Sequence, residues 1–100
     1  MSNNLSIIVP VFNEEHSVEN VIKKLLSSFP NSQIIVVNDG STDSTGSLLR
    51  KYENKIQLIN HTSNLGYGAS IKTGIENSNK IYLSWFDSDG QHKIDDLKKM

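Results

Sequence analysis

Four short β-rich runs alternate with helix-forming stretches along the whole chain, and this alternation restricts the fold more than any other feature. The runs are Leu5–Val11, Gln33–Asn38, Lys55–Asn60 and Lys80–Phe86. Between the first two, Val18, Val21, Ile22, Leu25, Leu26 and Phe29 recur at helical spacing within Glu14–Phe29. That single apolar stripe predicts a helix with one buried face. Glu14 and Glu15 suit the positive end of its dipole, and Pro30-Asn31 stops it. A second helix is expected from the N-cap cluster Ser41-Thr42-Asp43, with Leu48, Leu49 and Tyr52 as its apolar face. A third is expected over Tyr67–Asn77, with Ala69, Ile71 and Ile75 inward despite Gly68 and Gly74. A fourth would begin near Lys93. Ile34–Val37 is apolar at every position, as a strand covered on both faces must be. The connections are long enough for right-handed βαβ crossovers. The expected fold is therefore α/β: a Rossmann-like three-layer sandwich around a mainly parallel sheet of at least four strands.

Composition removes several function classes. A chain of 100 residues allows one domain. Ten Lys and Arg against eleven Asp and Glu leave a net charge of −1, which argues against a nucleic-acid arm or a polybasic membrane patch. With no cysteine there is no disulfide framework, thiol nucleophile or zinc knuckle. The longest apolar run, Ile7–Phe12, is six residues, whereas a membrane span needs about 20. The start carries no basic-then-apolar leader. The expected location is the cytoplasm or, in a longer protein with membrane-associated segments, the cytoplasmic face of a membrane.

Open parallel sheets bind ligands outside the carboxyl ends of their strands. The residues leaving each run are Asn13-Glu14-Glu15, Asn38-Asp39-Gly40, Asn60-His61 with Asn64-Leu65-Gly66, and Asp87-Ser88-Asp89-Gly90-Gln91-His92. All four exits are polar and three carry carboxylates. The opposite edge, with Pro30-Asn31-Ser32, Glu53-Asn54 and Ser78-Asn79, is ordinary turn chemistry. Taken singly, Asp39-Gly40 is a turn and Glu14-Glu15 a helix start. Their convergence on one edge is the functional signal. Asp87 and Asp89, two residues apart after a strand, can turn toward one side and share a cation, with oxygen ligands favouring Mg²⁺ or Mn²⁺. Other motifs fail. An EF-hand from Asp87 would need glycine and glutamate where His92 and Lys98 stand. Five residues separate Gly40 from Gly46, and Ser47 follows where a Walker A loop needs lysine. Ile71 breaks a G-x-G-x-x-G reading from Gly66. A nucleotidyltransferase would carry a glycine-rich first loop, and none follows Val11.

The four exits together resemble the motifs of family 2 glycosyltransferases. Ile8-Val9-Pro10-Val11-Phe12-Asn13-Glu14-Glu15 is similar to their opening strand and loop, and Val36-Val37-Asn38-Asp39-Gly40-Ser41-Thr42-Asp43 to their second-strand motif. Asn64-Leu65-Gly66-Tyr67-Gly68-Ala69 is similar to the third loop. Asp87-Ser88-Asp89-Gly90-Gln91-His92 resembles the D-x-D metal motif in its dolichol-phosphate-mannose-synthase-like form. The resemblance implies a GT-A fold, a nucleotide-diphospho-sugar donor, Mg²⁺ or Mn²⁺, and inverting transfer to an acceptor hydroxyl. It would place Pro10, Asn13 and Glu14 in the nucleoside pocket, Asp39 as an acceptor to the base, and Lys72 and Asp87 on the nucleotide. Asp87, Asp89 and Gln91 would hold the metal, with His92 a neighbour, and Tyr67 and Trp85 are expected to be packing residues. The family's base and acceptor elements follow the D-x-D region, so no catalytic base is assigned within residues 1–100. The chain is expected to be a truncated domain: the donor half, inactive alone, with an acceptor (lipid phosphate, saccharide or protein) beyond reach of the sequence. Such a piece would expose apolar surface and self-associate. The competing expectation is a non-catalytic nucleotide-binding or protein-interaction module.

Overall fold

Two runs with every side chain apolar, Ile7–Val9 and Ile34–Val37, need cover on both faces, and they become the two inner strands of the sheet. The computed structural model describes residues 4–80 and 82–85. Its elements are β1 (Leu5–Val11), α1 (Val18–Ser28), β2 (Gln33–Asp39), α2 (Thr45–Arg50), β3 (Gln57–His61), α3 (Tyr67–Glu76) and β4 (Tyr82–Trp85). The sheet runs β3-β2-β1-β4, with all three pairings parallel. The chain steps outward from β1 to β3 on one side, then crosses back through α3 to place β4 on the other. The expected Rossmann-like sandwich is present. Asp87, Asp89, Gln91, His92 and the helix expected from Lys93 lie outside the described residues.

Alternation along the strands sorts the core into two layers. Ile7, Val9 and Val11 of β1 and Ile34 and Val36 of β2 pack with Val18, Val21, Ile22 and Leu25 of α1 and Leu49 of α2. Ile8, Ile35 and Val37 point to the other face, under α3, and are equally buried. The helix ends differ from the sequence expectation for local reasons. Residues 14–17 form a turn ahead of α1, with the Ser17 and Val18 amides on the Glu14 carbonyl. α2 has only six residues, because the chain leaves it in successive turns that hang Lys55 and Ile56 on the Tyr52 carbonyl.

The inward face of α3 is a correction. Ser70 and Gly74 are the buried positions, while Ile75 is 49% exposed and Ala69 and Ile71 are only partly covered. A Cβ on Gly74 would run into the Ile8 side chain. The helix thus lies against β1 too closely for anything but its smallest residues, and the larger ones turn outward. Tyr67 and Trp85, expected to pack, are likewise about half exposed. At the amino edge, Gln33 does more than end a turn. Its Oε1 accepts from Ser6 Oγ (2.6 Å) and the Asn79 amide (3.1 Å), and its Nε2 donates to Gln57 Oε1 (2.8 Å). Among the described residues no helix is long and apolar enough to cross a membrane.

Candidate functional site

The strand order reverses at β1, with β2 and β3 added on one side and β4 on the other, and this creates a topological switch between β1 and β4; the crevice outside their carboxyl ends is where such sheets bind ligands. Pro10 is buried near the end of β1, in register with Val37. It lies past Ile8↔Trp85, the last described pair with β4, so its missing N–H interrupts no described rung on that side.

Beyond β1 the chain turns sharply at Asn13, whose φ of 51° is a left-handed conformation that asparagine tolerates better than most residues. Its side chain binds the second strand exit. Asn13 Oδ1 accepts from the Thr42 amide (2.8 Å) and the Asp43 amide (3.3 Å), and the Asn13 amide donates to Ser41 Oγ (2.9 Å). The Glu14 amide donates to the buried Thr45 hydroxyl (2.9 Å), and Glu15 Oε1 accepts from the Ser44 amide (2.9 Å). The Glu14 carboxylate takes the Ser17 hydroxyl at 3.2 Å. The first two exits are therefore one hydrogen-bonded unit. Within it, burial pushes the Asp43 carboxyl up, but hydrogen bonds led by the Thr45 hydroxyl more than offset this and hold it below the ordinary range.

Asp39 joins the second exit to the third. It is 3% exposed. Its Oδ1 accepts from the Leu65 amide (2.9 Å) and lies 2.7 Å from His61 Nδ1, while Oδ2 accepts from the Gly66 amide (2.8 Å). Burial alone would raise its pKa. The hydrogen bonds from His61, Leu65 and Gly66 outweigh burial and hold the carboxyl below its ordinary value. His61 Nε2 reaches Thr73 Oγ1 of α3 at 2.8 Å. Gly40, at φ 74°, brings its backbone against Ser63 and Asn64; an added Cβ would stand 2.5 Å from the Ser63 carbonyl carbon and 2.6 Å from the Asn64 nitrogen.

The structure thus brings Pro10, Asn13, Glu14 and Asp39 to one edge of the sheet. Their partners divide between its faces: Asn13 and Glu14 are tied to the loop before α2 and its first residue, Asp39 to His61 and the loop before α3. The cause is the two-residue period of β2, which sends Asn38 to one face (its Nδ2 on Asn60 Oδ1, 3.0 Å) and Asp39 to the other. Lys72 stands exposed on α3. Among the described residues no group of three His, Asp or Glu side chains gathers to hold a metal. Asp87, Asp89 and Gln91 fall outside those residues. His61 stood in the third exit with no role assigned to it, and Thr73 was not singled out by sequence. For His61 a signal existed: as the last residue of a β-run parallel to the one ending at Asp39, it becomes that residue's register partner. For Thr73, mid-helix, there was none.

Comparison with known proteins agrees with this geometry. The chain is 35% identical over 104 residues to an uncharacterized glycosyltransferase of Rickettsia prowazekii, covering 96% of this chain and 32% of that protein. It is 31% identical over 112 residues to the UDP-N-acetylglucosamine–dolichyl-phosphate N-acetylglucosaminyltransferase of Methanococcus voltae, covering 94% and 44%. The chain therefore spans under half the length of these curated relatives. Among solved structures, Staphylococcus aureus TarS 1-349 in complex with UDP-GlcNAc superposes with a TM-score of 0.78 at 27% identity, over 86% of this chain and 26% of that one. The mannosyltransferase PcManGT of Pyrobaculum calidifontis, in complex with GDP-Man and Mn²⁺, gives 0.79 at 21% identity, over 86% and 27%. These are GT-A folds, and the parallel sheet with its switch at β1 is the same architecture. The family model for glycosyl transferase family 2 matches residues 6–100, and the chain belongs to that family.

Proposed function

We propose that this chain is the nucleotide-sugar-binding part of a glycosyltransferase that moves a sugar from a nucleotide-diphosphate donor to an acceptor hydroxyl with inversion. One observation carries the reading: three strand exits are laced into a single edge beside the switch point, by Asn13 to Thr42 and Asp43 and by Asp39 to Leu65 and Gly66. Such an edge is rigid before ligand arrives, which lowers the ordering cost of binding. In this reading Pro10, Asn13 and Glu14 line the nucleoside pocket. A carboxylate offers about four lone-pair sites, and Asp39 uses three on its own chain, so one remains to accept from a base N–H. By the resemblance, Lys72 and Asp87 would contact the nucleotide, and Asp87, Asp89 and Gln91 would supply the oxygen donors for Mg²⁺ or Mn²⁺. Bound there, the cation would offset charge building on the departing nucleotide diphosphate. The TarS and PcManGT complexes support a UDP- or GDP-linked donor, and the name of the M. voltae relative supports a lipid-phosphate acceptor.

Calorimetric titration of UDP and GDP, with and without Mn²⁺, tests the reading. Binding that needs the cation and is lost in Asp89→Ala is the expected result. A folded protein that binds neither nucleotide would favour the protein-interaction module. We also propose self-association through the apolar side chains on the α3 face, where Trp85 of β4 and Ile75 of α3 are exposed. Light scattering that shows a monomer at high concentration removes this second proposal.

A further inference from the structure

We infer that His61 is a positioning residue for the nucleotide site: held between Asp39 and Thr73, it fixes the one carboxylate from which the third strand exit hangs. The inference rests on the function proposed above and extends it to a residue outside the pocket.

The parallel register sets Asp39 beside His61, with both side chains on the α3 face. The side chains are 5% and 10% exposed, so water does not compete for their bonds. An ionised carboxylate only accepts, so His61 Nδ1 carries the hydrogen at the 2.7 Å contact. Nε2 then meets the Thr73 hydroxyl, which either donates or accepts. The ring is pinned at both nitrogens and cannot flip or swing without breaking a buried bond.

That pinning matters because of what Asp39 does with its other lone pairs. Its two oxygens take two consecutive amides, Leu65 on Oδ1 and Gly66 on Oδ2. The Asn64 side chain adds a bond to the Asp39 carbonyl at 3.3 Å. Gly66 is the N-cap of α3, at φ 105°. One carboxyl plane therefore sets both the course of residues 64–66 and the start of α3. Rotation of that plane would misplace the loop and the remaining acceptor site together. His61 is the only side chain among the described residues that grips the carboxylate; the other two donors belong to the loop being positioned. Thr73 grips His61 in turn, and it can do so because Gly74 lets α3 lie against β1.

Two variants separate the ends of the ring. In His61→Asn the amide nitrogen stands near the place of Nδ1 and can still donate to Asp39. In His61→Gln the longer amide reaches toward Thr73 and leaves Asp39 without that donor. Two readouts apply to each folded variant: the ¹H–¹⁵N shifts of the Leu65 and Gly66 amides in the free protein, and the affinity for UDP and GDP with Mn²⁺. The expected result for His61→Gln is a shift of both amides and a loss of about tenfold in affinity, the scale of one charge-assisted hydrogen bond. His61→Asn, which keeps the donor to Asp39 but loses Thr73, should change both values much less than His61→Gln. Should His61→Gln fail to fold, Thr73→Val gives the same comparison from the far end of the ring, with smaller amide shifts in the same direction. Unmoved amides in His61→Gln, or equal losses in His61→Asn and His61→Gln that follow only their melting temperatures, overturn the inference. If wild type binds neither nucleotide, the proposed function fails, and the amide shifts alone still decide whether His61 sets the loop.

Discussion

Four glycines differ in what an added methyl would meet, and Ala substitution at each forms a series whose ranking the geometry dictates. Gly40 combines a positive φ of 74° with a close backbone approach, the new Cβ falling 2.5–2.9 Å from three Ser63 and Asn64 backbone atoms. Gly66 has a positive φ of 105° with open space around it. Gly74 has ordinary helical geometry but points into Ile8, with Cγ1 at 2.8 Å. Gly68 has neither problem. A left-handed alanine costs about 1–2 kcal/mol, and overpacking costs about 1–3 kcal/mol. Helix interiors favour alanine over glycine by about 1 kcal/mol. Gly40→Ala should therefore lose about 2–5 kcal/mol, the sum of both penalties, because backbone atoms cannot swing aside as a side-chain tip can. Gly66→Ala should lose about 1–3 kcal/mol from strain alone, because φ 105° with ψ 166° is a backbone conformation essentially reserved for glycine. Gly74→Ala should lose about 0–2 kcal/mol, its clash offset only by helix propensity, because the nearest Ile8 atoms it meets sit on a buried, branched Cβ that cannot swing aside. Gly68→Ala should gain up to about 1 kcal/mol. Urea unfolding followed by far-ultraviolet circular dichroism measures all four, and a constant m-value confirms that only stability has changed. A marginally stable domain holds about 5–15 kcal/mol, so the Gly40 loss is easily seen. If Gly40→Ala proved no worse than Gly66→Ala, the tight seam between the second and third exits would not exist as described. A destabilised Gly68→Ala would refute the account of α3.

Asp39→Asn should cost about 2–4 kcal/mol in the same assay, because an amide NH₂ must face a backbone N–H that the carboxylate had satisfied. The acid limb of the stability curve should change with it. The Asp39 carboxyl sits below its ordinary 3.8, so its contribution is complete above that pH and is lost as pH falls through the lower native value. Denaturation midpoints collected from pH 6 downward on wild type and Asp39→Asn should converge as acid is added, and parallel curves would refute the assignment. Asn13→Ala removes the acceptor for the Thr42 and Asp43 amides and leaves alanine at positive φ. A loss of about 1–3 kcal/mol is expected, with hydrogen exchange at those two amides accelerated more than in the core.

Much of the candidate site was legible because its residues act through position in a repeating pattern. Asn13, Glu14 and Asp39 leave β-runs at the same end, so a parallel sheet brings them to one edge whatever its details. The α1 stripe was equally plain: the Val18, Val21, Ile22 and Leu25 spacing has no other use than one buried face. The α3 face was misread because Ile75 is large and apolar while Gly74 is small, and size normally points inward. Here the limit was the distance to Ile8, which no local pattern contains. The start of α1 moved for a local reason instead: residues 14–17 close a turn on the Glu14 carbonyl before the regular helix begins.

Sequence alone determined the order of elements, the parallel sheet, the family and the edge at which polar residues collect. These follow from periodicities of two and 3.6 residues and from short motifs, all of them local. Tertiary structure alone decided which face each exit serves, and that Asp39 spends three of its acceptor sites on its own chain. It also decided that His61 and Thr73 stand behind Asp39. Those outcomes depend on strand register and on how near α3 comes to β1, and both are set by close packing between segments far apart in the chain.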